Sequence, residues 1–244
     1  MKRVLAGPHA VAEAVRSSPG SIQVILIVES MRPTSVRRIE EAARRAKVPY
    51  EFVSKALIET VVTDLPHQGV VAITGSYPYL DLAGMLSIAG REPAPLLIVL
   101  DQVQDPQNLG AVMRSAYAFG AVGIVIPKDR AAPVTDAAVR ASAGASELIK
   151  TARVTNLVRA LDEMRDAGFR VYGAAMDGPA ALHQLDFDSP TAIVLGSEGK
   201  GLRRLTAEHC DVLFHIPLVN DFDSLNVSAA AAIALYQVSL RRLG

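Results

Sequence analysis

Leu96-Leu97-Ile98-Val99-Leu100 is an unbroken apolar run of strand length, and it passes at once into Asp101-Gln102-Val103-Gln104-Asp105-Pro106-Gln107-Asn108, which is polar and turn-like. An apolar helical pattern follows near residues 109–119. The same alternation then repeats. Apolar strands are predicted at 122–126, Arg170–Ala174, 192–195 and 212–216, with helices near 135–143, 156–167 and 226–240. Strands that are apolar on both faces and separated by helices predict an α/β domain with a mostly parallel sheet buried on both sides. In such a sheet ligands bind beyond the carboxyl ends of the strands, so the segments after each strand are where chemistry is expected.

Upstream of residue 96 the pattern is different. Residues 1–77 read as a smaller α/β unit: a helix opening at Pro8, a strand at Ile22–Val28, and a helix over 34–46. A strand at Tyr50–Val53, a helix that Ser54 can cap and a strand at 69–74 complete it. Residues 78–95, punctuated by Pro and Gly at both ends, read as a linker holding a short helix through Leu82, Met85 and Leu86. The second unit then spans 96–244. The net charge of zero divides unequally, with +3 over residues 1–77 and −3 over the rest. The helix bearing Arg37, Arg38, Arg44 and Arg45 reads either as a solvated face or as a nucleic-acid contact.

Half of the 244 residues are apolar, which excludes a disordered or collagen-like chain and suffices for a core without staples. The single cysteine, Cys210, cannot form an internal disulfide, so a reducing cytoplasm is the expected setting. No apolar run nears the roughly 18 residues of a membrane helix, and no signal-peptide core follows the N-terminus. The five histidines are scattered, without zinc-binding spacing, so no metal is expected. His209 and Cys210 are sequence neighbours that point apart, which argues against a catalytic pair. No Walker loop, dinucleotide fingerprint or nucleophile elbow is present.

Three segments at predicted strand ends remain. The first runs from Asp101 to Ser115. Asn108 can cap the coming helix, while Arg114 shares a helix face with the small residues Ala111, Ser115 and Ala118. The second is Gly196-Ser197-Glu198-Gly199-Lys200-Gly201, where three glycines let the backbone approach a ligand and a carboxylate sits among them. The third is Pro217-Leu218-Val219-Asn220-Asp221-Phe222-Asp223-Ser224-Leu225-Asn226-Val227-Ser228. Ser224 or Asn226 can cap the helix after it, which is apolar nearly all round and so belongs in the core or against another subunit.

Together these segments resemble the three signature motifs of the SpoU-type RNA ribose 2′-O-methyltransferases, over almost the whole chain. The first unit, with Gly7-Pro8-His9-Ala10-Val11 and His67-Gln68-Gly69-Val70, resembles that family's small substrate-binding domain related to ribosomal protein L30e. Pro127-Lys128-Asp129-Arg130, Arg153-Val154-Thr155-Asn156-Leu157 (read as the start of a helix) and Leu205-Thr206-Ala207-Glu208-His209-Cys210 resemble one subgroup. That subgroup methylates a guanosine in the peptidyl-transferase region of 23S ribosomal RNA. The resemblance implies a deep trefoil knot in the second domain, S-adenosylmethionine as cofactor, a homodimer and ribosomal RNA as substrate, with no membrane and no metal. It implies a cofactor pocket of Gly196, Gly199, Gly201, Ile216, Leu218 and Leu225, with Ala174 and Ala175 as further walls. It assigns the chemistry to Asn108, Arg114, Glu198, Ser224 and Asn226. Arg114 is open between two roles, base and phosphate clamp, since neutralising an arginine near pH 7 costs about 7 kcal/mol. Asn220 stands where the subgroup has glycine, and a small change of loop shape is expected. Two alternatives are a transfer-RNA guanosine 2′-O-methyltransferase, whose usual chain lacks the first domain, and a non-catalytic RNA-binding or ribosome-assembly protein.

Overall fold

The computed structural model describes residues 3–30, 34–62, 66–220 and 224–243. Two sheets organise them. The first holds β1 (Arg3–Ala6), β2 (Ile22–Val28), β3 (Tyr50–Val53) and β4 (Val70–Thr74) in the order β1-β4-β2-β3. β4 runs antiparallel to β1 and β2, whereas β3 pairs with β2 in parallel. Around it lie α1 (Pro8–Ser17), α2 (Thr34–Arg45) and α3 (Lys55–Val61). α2 buries Val36, Ile39 and Ala43, as a helical period of 3.6 requires. On its outer side Arg44 pairs with Glu40 at 3.1 Å and Arg45 with Glu41 at 3.9 Å. Arg37 and Arg38 are exposed and have no ion pair among the described residues.

The second sheet contains β5 (Leu96–Asp101), β6 (Gly123–Pro127), β7 (Lys150–Val154), β8 (Arg170–Ala174), β9 (Ala180–Ala181), β10 (Thr191–Gly196) and β11 (Val212–His215). Their order is β7-β6-β5-β10-β8-β11-β9, and every neighbouring pair is parallel. Helices α4 (Leu82–Ala89), α5 (Pro106–Ala118), α6 (Asp136–Ala141), α7 (Leu157–Asp166), α8 (Arg204–Glu208) and α9 (Val227–Leu243) complete the unit. Side chains alternate across the sheet. Leu97, Val99 and Val194 pack with Leu82, Met85 and Leu161 of α4 and α7. Ile98, Leu100 and Ile193 pack with Val112, Met113 and Leu235 of α5 and α9. Burial on both faces is why these strands read as continuous apolar runs.

Chain order and strand order part company at β5. The chain moves outward through β6 and β7, then returns beyond β10 to β8, and loops diverge at such a reversal to leave a crevice at the carboxyl ends.

Several local features differ from the sequence reading. Residues 150–154 form strand β7, and the helix starts only at Leu157, with the Asn156 side chain accepting the Arg159 N–H at 3.2 Å. The stretch read as a linker is packed: α4 buries Leu82, Met85 and Ala89, and Leu80 exchanges backbone bonds with Thr151 and Arg153 beside β7. β1, absent from the sequence reading, carries Arg3 into a buried two-toothed pair with Glu147, at 2.7 and 3.2 Å. Tyr77 lies under the Arg3 guanidinium and donates its hydroxyl to the Ser146 carbonyl. Buried polar contacts therefore tie the first unit to the second. Among the described residues no helix is long and apolar enough to cross a membrane.

Candidate active site at the carboxyl edge of the parallel sheet

β10 ends in Gly196, and the loop after it folds back on itself, with the Gly201 N–H bonded to the Ser197 carbonyl at 2.9 Å. A Cβ on Gly196 would lie 2.1 Å from the Gly201 backbone, so only glycine fits there. Gly199 and Gly201 have φ of 73° and 63°, the left-handed region that glycine enters without penalty. The loop's exit is anchored by a residue to which the sequence reading gave no role. Asp101, fully buried at the end of β5, accepts the Arg203 backbone N–H at 3.1 Å and its Nε at 2.7 Å. A carboxylate closing an apolar strand needs such a cation, and that need is the signal that could have found it.

α5 begins one turn earlier than its apolar pattern. Asp105 caps it by accepting the Gln107 N–H at 2.8 Å, and Pro106 takes the first helical position. Asn108 is therefore free of the capping role. Its Nδ2 donates to Glu198 Oε1 at 3.0 Å, and its Oδ1 accepts from Asn226 Nδ2 at 3.0 Å. Asn226 Nδ2 also donates to Glu198 Oε1. Its other end, Oδ1, accepts the Ser228 N–H at 2.9 Å and hydroxyl at 2.6 Å, which caps α9. Capping fixes which way the Asn226 amide faces, and so points its N–H bonds at Glu198 and Asn108.

Three of the five residues expected to carry chemistry thus meet: Asn108, Glu198 and Asn226. Ser224 lines the neighbouring cleft, and Asp221, Phe222 and Asp223 before it lie outside the described residues. Arg114 stands apart. It is six residues along α5 from Asn108, about 9 Å of helix rise, and is exposed, with no hydrogen bond or ion pair among the described residues.

Glu198 and Ser197 sit on the boundary between two cavities. One is a cleft of about 300 Å³ with mostly apolar walls, and all eight residues expected to hold a cofactor line it. Gly196, Gly199 and Gly201 come from the β10 loop, Ala174 and Ala175 follow β8, Ile216 and Leu218 follow β11, and Leu225 precedes α9. Met176 and His215, which the sequence reading did not assign to it, also face it. The other cavity, also about 300 Å³, is polar and is lined by Gln102, Gln104, Asp105, Asn108 and Lys200. Among the described residues no group of three or more His, Cys, Asp or Glu side chains is placed to hold a metal ion. Burial, with Asp211 and Asp101 nearby, pushes the Cys210 thiol up to about 12, away from the thiolate form that a nucleophile needs. His209 turns away to Asp162 at 2.8 Å.

Residues 95–236 match the SpoU rRNA methylase family, and residues 4–80 match the RNA 2′-O ribose methyltransferase substrate-binding domain. The chain belongs to the SpoU methylase family. A 23S rRNA (guanosine-2′-O-)-methyltransferase RlmB from Xanthomonas campestris is 39% identical over 98% of this chain and 97% of its own length. The Coxiella burnetii RlmB, of the same description, is 39% identical over 97% of this chain and 94% of its own. The AdoMet-bound rRNA methyltransferase from Sinorhizobium meliloti superposes with a TM-score of 0.82 at 26% identity, covering all of this chain and 88% of that one. In this chain, therefore, the match to the methylase family follows the match to the substrate-binding domain.

Proposed function

We propose that the protein transfers a methyl group from S-adenosylmethionine to the ribose 2′-hydroxyl of a guanosine in 23S ribosomal RNA. The observation that carries this reading is the shared wall. An apolar cleft of cofactor size and a polar cavity meet at Ser197, Glu198 and Val227, with Asn108 and Asn226 held against that wall. The cleft fits the cofactor: aliphatic side chains can sandwich an adenine, and the cradle beside Gly196 admits backbone contact with it. A knotted chain, as the family resemblance implies, would put the β10 loop and Leu225 on two sides of one ligand.

The bound cofactor supplies an electrophilic methyl group, so the protein must orient the acceptor oxygen and assist loss of its proton. Glu198 Oε1 receives both amide donors, while Oε2 makes no hydrogen bond among the described residues and is the atom free to accept from an incoming hydroxyl. Ser224, on the cleft wall, is a second polar group near the transfer path. Arg114, exposed and unpartnered, holds a phosphate of the target RNA, as its planar fork is suited to do. The exposed positions of Arg37 and Arg38 on α2 give the first unit a weaker hold on RNA.

The protein works as a homodimer. α9 buries Ala231, Ala234, Leu235 and Val238, yet Ile233, Tyr236 and Leu240 on its other side are 39–54% exposed, with the Phe119 ring 6.0 Å from that of Tyr236. An apolar stripe of that kind calls for a second copy. A sedimentation measurement giving a monomer at micromolar concentration would remove this part of the proposal.

The deciding experiment is methyl transfer from labelled cofactor to in-vitro-transcribed 23S ribosomal RNA, with the modified nucleotide mapped by mass spectrometry. Label on a guanosine ribose is the expected result. Label on a base, or on transfer RNA alone, overturns it.

A further inference from the structure

Two of the sequence motifs have no part in the cofactor cleft or the polar triad, and the fold brings them together. Lys128-Asp129-Arg130 follows β6, and Arg153 lies near the end of β7. Both strands are parallel to β5, so these residues stand on the same carboxyl edge as the site, one and two strand spacings from β5, or about 5–10 Å. Arg153 is held in place. Its guanidinium carbon lies 4.8 Å from the centre of the Tyr79 ring, and Nη2 donates to the Lys128 carbonyl at 2.9 Å.

The loop itself is pinned at three points. Lys128 N–H bonds to the Val154 carbonyl at 2.8 Å, Ala132 N–H to the Val103 carbonyl at 2.8 Å, and Val134 N–H to the Tyr79 hydroxyl at 2.7 Å. The second bond joins this loop to the segment that lines the polar cavity. Arg130, exposed, has φ of 56°, a left-handed conformation that costs a non-glycine residue free energy and marks a functional demand where the surroundings enforce it. None of Lys128, Arg130 and Arg153 has an acidic partner among the described residues, and Asp129 is the carboxylate between them.

We infer that Lys128, Arg130 and Arg153 form a fixed cationic track that holds the backbone phosphates of the RNA strand next to the target nucleotide. The inference rests on the RNA-methylating reading above and names part of its substrate contact. Each cation on a phosphate releases a counterion, so the track has a salt signature that a purely structural role lacks.

The test compares the wild-type protein with the double variant Lys128→Ala/Arg130→Ala and with Arg130→Gly, all on in-vitro-transcribed 23S ribosomal RNA. For the double variant the RNA Kd and KM rise on the order of tenfold, and the log–log salt slope becomes shallower by roughly 1.4. Cofactor affinity and kcat at saturating RNA stay near wild type. Arg130→Gly relieves the backbone strain, so its Tm does not fall, yet its RNA affinity drops about threefold. Equal RNA affinity and equal salt slope across the three proteins overturn the track. Wild-type protein that binds this RNA through the track without methylating it removes the functional reading and leaves the track standing. Methylation that neither variant weakens does the reverse.

Discussion

Asn226 works with both ends of its amide: the oxygen caps α9 and the nitrogen bonds Glu198 and Asn108. The two tasks separate by substitution. Asn226→Asp keeps a capping oxygen but sets a second carboxylate against Glu198. Its Tm should stay within a few degrees of wild type while methyl transfer falls about a hundredfold, equivalent to about 2.7 kcal/mol. Asn226→Ala should lose activity and, in addition, about 1 kcal/mol of stability measured by denaturant titration. Equal loss of stability in both variants would show that the cap is not what Asn226 supplies. At Cys210 the raised thiol makes a pH prediction. The group stays protonated in the folded chain up to about 12, so iodoacetamide at pH 8 should label it only after unfolding. Ionisation in the unfolded chain begins lower, so whatever this burial contributes to stability is present below about pH 9 and is lost as pH rises toward 12. Singly, Asn108 and Asn226 read as helix caps, and Glu198 as a carboxylate that a glycine turn leaves unexplained. Their contacts span up to 118 positions, and no local pattern reveals which of them meet. Only the family resemblance joined them.

Strands with apolar side chains on both faces were legible because nothing but a doubly covered sheet buries such runs. Ile22–Val28 and Arg170–Ala174 have the bounds their sequence predicts, as does the short, half-exposed edge strand Tyr50–Val53. β1 and β7 were not legible, for a shared reason: each is short and contains charged residues whose partners are distant. Arg3 is buried only because Glu147 is there, and β7 (Lys-Thr-Ala-Arg-Val) is an edge strand whose Thr151 bonds the Tyr77 hydroxyl at 3.0 Å. The β10 loop offers a graded test at this scale. Gly196→Ala drives a Cβ into the Gly201 backbone, so the loop must move and cofactor affinity should fall at least tenfold by calorimetry. At Gly199 the added Cβ meets open space, and the cost is the left-handed backbone alone, roughly 1–2 kcal/mol. Gly199→Ala should therefore bind the cofactor more tightly than Gly196→Ala. The reverse order would place the ligand against Gly199.

Across the whole molecule the two units are coupled by the Arg3–Glu147 pair, with Arg3 Nε on Thr74 at 3.3 Å, Tyr77 beneath, and the Val4 N–H on Asp136 at 3.1 Å. α6, which supplies Asp136, packs against α5 so closely that a Cβ on Gly110 would lie 2.3 Å from the Ala138 carbonyl oxygen. The first unit thus bears on the helix that carries Asn108 and Arg114, and deleting it would remove the Arg3 partner of Glu147 and uncover the face on which the first unit packs. For this reason its contribution to RNA binding is better measured by Arg37→Ala/Arg38→Ala than by truncation. The pair itself gives an asymmetric prediction. Breaking it from one side, as in Arg3→Met or Glu147→Leu, leaves the other charge buried and should cost about 3–5 kcal/mol. The double variant Arg3→Met/Glu147→Leu leaves no charge to desolvate, so it should recover most of that loss. Methyl transfer separates two roles for the contact. If the pair serves only stability, the double variant works at the wild-type rate with unchanged KM for RNA. A double variant that regains its Tm but not its KM for RNA would show that the ionic contact sets the angle at which the two units present themselves to the substrate.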